Sequence, residues 1–111
     1  MNNYDRTKAH EKLLKQCLLQ LTTHGYMAWK NSTGALKAST GHFQRYGLKG
    51  SADIIGLTPE GQFLAIEIKT GKAVQNKAQM SFQKAIESRN GIYKIIRTYE
   101  ELIEWLELMI S

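Results

Sequence analysis

The sequence predicts an α/β fold: a mixed β-sheet flanked by helices, in the order α-β-β-β-α-β-α. Three observations predict it. Apolar residues recur at helical spacing near the N-terminus, at Leu13, Leu14, Cys17, Leu18 and Leu21. Two apolar runs, "ADIIGLT" and "QFLAIEIK", flank the turn signal "PEG" and read as an antiparallel hairpin. A helical segment then separates the second run from a third, "IYKIIR", so a β-α-β crossover adds a parallel pair to the antiparallel one.

The first helix runs from about Asp5 to Thr23, and His24-Gly25 ends it. "YMAWK", Tyr26 to Lys30, is a short strand. A polar, glycine-rich stretch follows, "NSTGALKASTGHFQRYGLKGS", in which Phe43 to Tyr46 is an optional extra strand outside the order given above. Residues 52–58 and 62–69 form the hairpin. The second helix spans about Gln75 to Ser88 and closes at Asn90-Gly91. Thr98 and Glu101 have capping-box spacing and open a last helix, with Leu102, Trp105, Leu106 and Met109 on its inner face. Residues 1–111 contain no repeat or low-complexity tract and read as one domain with a modest core.

Composition narrows the class. Hydrophobic residues make up 42% and charged residues 23%, ordinary for a globular protein. The one cysteine, Cys17, lies in a helical apolar pattern, so no disulfide framework is expected and the chain suits a reducing, cytoplasmic setting. "MNNYDRTKAHEK" is too polar for a signal peptide, and no apolar run approaches the ~18 residues of a membrane span. The net charge of +5 permits a polyanionic partner without demanding one.

The strand "FLAIEIK" raises a chemical question, because buried charges need a partner or a metal. Side chains alternate along a strand, so Leu64, Ile66 and Ile68 share one face and Phe63, Ala65, Glu67 and Lys69 the other. With the hairpin turning at Pro59-Glu60-Gly61, Asp53 comes to the same end of the sheet as Glu67. Two carboxylates and a lysine converge there. Paired carboxylates suit a hard cation such as Mg²⁺, which also takes phosphate oxygens and activates water, and a nearby ammonium can orient that water or stabilise the developing charge. The same residues also fit a solvated strand face with a cross-strand ion pair.

Other positions bear on that choice. Glu11 borders the buried stripe of the first helix and either points along the sheet or is an ordinary exposed glutamate. Gln79 shares the Phe82-Ile86 face of the second helix, which packs near the site; the alternative is an amide that caps the helix or faces water. In "YGLKGSAD", glycines permit close backbone approach to a phosphate, with Lys49 and Ser51 as donors. Lys30, Lys37 and Arg45 flank that segment, either as phosphate contacts or as ordinary solvated charges. His10 lies on the apolar stripe, either packed in the core or supporting Glu11. Trp29 and Trp105 are expected in the core. Cys/His spacing for zinc is absent.

Taken in order, "AHEKLLKQCLLQL", "MAWKNSTG", "YGLKGSADIIGL", "FLAIEIKTG", "KAQMSFQKAIESRNGIY" and "TYEELIEWL" resemble a stand-alone VRR-NUC domain, the virus-type replication-repair nuclease branch of the PD-(D/E)xK superfamily. The resemblance covers nearly the whole chain. It implies a restriction-endonuclease-like core and a Mg²⁺-dependent DNA nuclease, with Mn²⁺ able to substitute. It further implies Glu11, Asp53, Glu67 and the Ile68 carbonyl as metal ligands, Lys69 as catalytic lysine and Gln79 as the helix glutamine of the site. Lys49, Ser51, Arg45 and Lys72 become candidate DNA contacts. Stand-alone members suggest a homodimer acting on branched DNA such as four-way junctions, in a bacterial or phage-infected cell. Where the family often has proline or glutamate before the glutamine, this chain has "TGKAVQNKAQ". The rival expectations are the same chemistry on flaps, nicks or ends, and a DNA-binding module without catalysis.

Overall fold

The computed structural model describes residues 2–110. Helix α1 (Asn3–Thr23) starts under Asn2, whose side chain accepts the Asp5 N–H at 2.8 Å. Then follow β1 (Met27–Lys30), β2 (Gly34–Lys37), β3 (Phe43–Tyr46), β4 (Ile54–Leu57), β5 (Phe63–Ile68), α2 (Lys77–Glu87), β6 (Ile92–Ile96) and α3 (Tyr99–Ile110). Four strands form one sheet in the order β1-β4-β5-β6. The β1-β4 and β4-β5 pairs are antiparallel and β5-β6 is parallel, joined through α2. The sheet is mixed, as the crossover requires.

Helices cover both faces. On one, Leu64, Ile66 and Ile68 meet Leu13, Leu14, Cys17 and Leu21 of α1 and Leu102 and Leu106 of α3. On the other, Ala65 and Tyr93 pack with Ala52 under Phe82 and Ile86 of α2. Strand β5 is therefore buried on both sides from Leu64 to Ile68, as strands next to a parallel crossover commonly are. The face carrying Glu67 is not a solvated strand face.

The order expected from sequence describes the main sheet and its helices. What the sequence did not predict is β2. It pairs with β3 in a separate two-stranded ribbon, inserted between β1 and β4. Four residues beginning with glycine carry no strand-length apolar signal. Trp29 departs from its expected place: on β1, the edge strand of the main sheet, it is 48% exposed. Met109 of α3 is likewise mostly outside the core, whereas Trp105 packs against it beside Tyr26, ring centroids 6.3 Å apart. Half of the expected capping box on α3 forms: Thr98 Oγ1 accepts the Glu101 N–H at 3.1 Å, but the Glu101 carboxylate accepts from Arg97 N.

Gly50 shows what holds the ribbon to the body. Its φ is +84°, and a Cβ there would lie 2.5 Å from the Ala78 carbonyl oxygen of α2. Gly41, at φ +90°, has nothing within 4 Å of such a Cβ. Gly50→Ala should therefore cost about 2 kcal/mol or more, roughly 10 °C in melting temperature for a domain of this size, against about 1 kcal/mol for Gly41→Ala, where only the backbone conformation is strained. Thermal melts of both variants check this; equal losses would contradict the close approach to α2.

Candidate active site

The β4-β5 register pairs Ile54 with Ile66, so one step further sets Asp53 opposite Glu67. The antiparallel pairing thus brings together two carboxylates that are 14 positions apart. Asp53 is well partnered. One carboxylate oxygen, Oδ2, accepts the Ile68 backbone N–H at 2.8 Å and lies 3.3 Å from His10 Nε2. Burial alone would raise its carboxyl, but hydrogen bonds from His10, Glu67 and the Ile68 N–H outweigh burial and hold it below the ordinary value. His10 is raised in return, first by its hydrogen bond to Asp53, against burial.

Glu67 stands the other way. It is 4% exposed, and its Oε2 is buried with no hydrogen-bond partner. Burial first, then the hydrogen bond and charge of Asp53, push its carboxyl up to about 9, with Lys69 pulling back. Near neutral pH the pair therefore holds one proton between two carboxyl groups, as closely spaced carboxylates do.

The other expected site residues have partners of their own. Lys69 continues β5 past its end, donating its backbone N–H to Ile96 O at 3.1 Å, and its ammonium acts on Glu67. The N–H of Ile68 is taken by Asp53. Glu11 is not drawn into the pair: it lies 3.4 Å from Lys30 Nζ, with 40% of its side chain exposed. Among the described residues no group of three or more His, Cys, Asp or Glu side chains is gathered closely enough to hold a metal, so the site's nucleus is the Asp53-Glu67 pair. Gln79 closes a capping box at the start of α2: its Oε1 accepts the Asn76 N–H, and Asn76 accepts the Gln79 N–H, both at 2.9 Å. Ser51 Oγ accepts from Asn31 Nδ2 at 2.7 Å. Arg45 and Lys49 line one shallow recess with Tyr46, while Lys72 lines a cleft of about 590 Å³ with Arg6, Thr70, Gly71 and Ala73.

Three residues of the site were missed or misplaced by the sequence. His10 is on Asp53 rather than packed in the core; a polar ring three, four and seven positions before Leu13, Leu14 and Cys17 needed a buried partner, and that was the available signal. Asn31, just past β1, donates its backbone N–H to Asp53 O at 2.7 Å and its amide to Ser51 Oγ and Ala52 O. Arg97 reaches the carbonyls of Lys69, Gly71 and Ala73 and fixes the loop that floors the cleft. Long-range contacts of this kind leave no local sequence signal.

A search of solved structures finds a chain described as a VRR_NUC domain, superposing with a TM-score of 0.67 over 88% of this chain and 94% of that one at 14% identity. No family model matches the sequence, and no curated protein matches it. The likeness shows the fold: the chain has a VRR-NUC, PD-(D/E)xK-like fold, as its motifs led one to expect.

Because the Glu67 carboxyl titrates higher folded than unfolded, the folded state holds an extra proton from roughly pH 4.5 up to about 9, and stability falls as pH rises through that window. His10, also raised, acts in the same direction above its ordinary range. In chelator, the wild-type melting temperature should fall between pH 5 and pH 9. Glu67→Gln should flatten much of that slope and, by removing a buried carboxyl with an orphaned oxygen, gain about 1–2 kcal/mol at pH 8. A variant that melts below wild type at pH 8 would contradict the burial-driven shift.

Proposed function

We propose that the protein is a metal-dependent DNA nuclease that hydrolyses phosphodiester bonds. The observation that carries it is the pair of facing carboxyl groups Asp53 and Glu67, one of them with a buried, unpartnered oxygen, at the sheet end of a VRR-NUC fold. The donor set fits a hard divalent cation. Buried carboxylates that repel one another are stabilised by a shared dication, and Mg²⁺ or Mn²⁺ can complete its shell with water and phosphate oxygens.

Asp53, Glu67 and the Ile68 carbonyl would hold the ion. When bound, it supplies a water of lowered pKa and neutralises charge on the attacked phosphate. Asp53 is pre-set for this by the Ile68 N–H and His10, which fix its orientation. Lys69, next along the strand, places an ammonium where it can orient the attacking water or stabilise the pentacovalent phosphorane-like charge. Glu11 joins only by leaving Lys30, which would free that lysine for a phosphate. The capping bond uses the Gln79 Oε1 and leaves its amide nitrogen as the group that could take part. Arg6 and Lys72 beside the 590 Å³ cleft suit a phosphate backbone running past the pair.

For substrate we propose branched DNA, cut by a homodimer. A two-fold dimer matches the symmetry of a four-way junction with one self-complementary patch. Exposed Leu19 of α1 and Met109 and Ile110 of α3 support such a patch.

Glu67→Gln and Asp53→Asn should each abolish cleavage of a labelled junction in Mg²⁺ while keeping the fold. Asn at 53 retains an oxygen for the Ile68 N–H. Wild-type rates in either variant would sink the site. Lys69→Ala should slow single-turnover cleavage at least tenfold, about 1.4 kcal/mol of barrier, with DNA affinity kept. Weakened binding at an unaltered rate would reduce Lys69 to a phosphate contact. Light scattering at micromolar concentration should report a dimer, and mapping should find paired nicks in opposing strands. A monomer that cuts only flaps or ends would overturn the junction assignment and leave the chemistry standing.

A further inference from the structure

The β2-β3 ribbon is not accounted for by the site. Every residue from 37 to 49 is exposed, and an isolated two-stranded ribbon is marginally stable in water. The chain's Cα radius of gyration is 15.0 Å, above the about 13 Å of a compact domain this long. The ribbon is an arm. Its register pairs Ala35 with Arg45 and Lys37 with Phe43, so one face carries Arg45, Lys37 and Phe43 together. Phe43 is 72% exposed. Among the described residues, the side chains of Lys37, Arg45 and Lys49 form no hydrogen bond or ion pair.

Charge singles out the partner. Between Glu11 and Asp53 the sequence has no acidic residue but carries Lys12, Lys15, Lys30, Lys37, Arg45 and Lys49. The base of the arm is tied to the site: it leaves the body at Asn31 and returns at Ser51, and Asn31 bonds Ser51, Ala52 and Asp53 across that gap. Whatever the arm holds is thereby registered to the Asp53 carboxyl.

We propose that the β2-β3 ribbon is a nucleic-acid arm, with Lys37 and Arg45 on phosphates and Phe43 stacking on an unpaired base next to the branch or single-stranded end being cut. This rests on the nuclease reading for the identity of the polyanion. A two-stranded ribbon is narrow enough for a DNA groove, and a flat ring among cations is what unstacked bases bind.

The test is fluorescence anisotropy in EDTA, so that binding is read without cleavage. Probes are a blunt duplex and the same duplex with a single-stranded overhang, each titrated from 50 to 200 mM salt. The doubly substituted Lys37→Gln/Arg45→Gln protein should bind both probes more weakly. Its slope of log affinity against log salt should be shallower by about 2, one unit per lost phosphate contact. A charge-matched control, Lys84→Gln/Arg89→Gln at the C-terminal end of α2, should keep the wild-type slope. Phe43→Ala should lose at least fivefold affinity for the overhang probe and little for the blunt duplex, with the slope unchanged. An unchanged slope in the double variant overturns the arm. Equal loss on both probes from Phe43→Ala overturns the stacking. A fall in molecular mass by light scattering in either variant overturns the proposal in favour of a contact between copies of the chain. Salt-dependent binding through the arm by a protein that never cuts DNA in Mg²⁺ would sink the nuclease reading alone.

Discussion

Two carboxyl groups face one another across the ends of β4 and β5, and much of the structure is arranged to make that tolerable. Burying one unpaired carboxylate is costly; burying two side by side is worse. The antiparallel register that puts Asp53 opposite Glu67 is the same register that buries Ile54, Leu64 and Ile66, so it cannot slip by one residue without turning the core out to solvent. Helix α2 then closes over Ala65 and Tyr93 and removes water from the Glu67 face. Fold and site are one constraint: the core fixes the register, and the register creates the pair.

The cover over the site is also what ties in its outlying parts. Helix α2 meets Gly50 so closely that no side chain fits, and Gly50 is the last ribbon residue before Ser51. On the opposite side Arg97, just after β6, binds three carbonyls of the segment that leaves β5 and leads to α2. The segments entering Asp53 and leaving Lys69 are thus both tied by their backbones, one through Asn31 and one through Arg97. A loop bearing several unpaired cations has little cohesion of its own, and these ties supply the order that its composition does not.

Periodicity made the main sheet and all three helices legible, because each has an apolar face long enough to show its period. The carboxylate pair was legible too, since a charged residue in a run as apolar as "FLAIEIK" demands a partner and the hairpin supplies Asp53. Legibility failed where the deciding contact is distant or polar. Trp29 was placed in the core by local pattern, and His10 either there or beside Glu11, yet His10 reaches across to Asp53 and Trp29 sits on an edge strand that leaves it half exposed. The capping box that engages Gln79 depends on Asn76, a residue inside the stretch where the chain departs from the family's pattern. Strand β2 had no core to face and so no alternation to read.

The asymmetry within the pair carries the chemistry furthest. Asp53 has its donors already in place, from a backbone N–H and an imidazole, and stays ionised below the ordinary range. Glu67 has none for its buried oxygen and stays protonated through neutral pH. Environments that push two neighbouring carboxyls apart assign them different work. Asp53 is an anion held in place by the Ile68 N–H and His10. Glu67 keeps its proton up to about pH 9 unless a positive charge compensates its burial. Under the proposed function this makes cation binding proton-coupled at one residue and orientationally pre-paid at the other. Without metal the carboxyl pair then carries one negative charge instead of two.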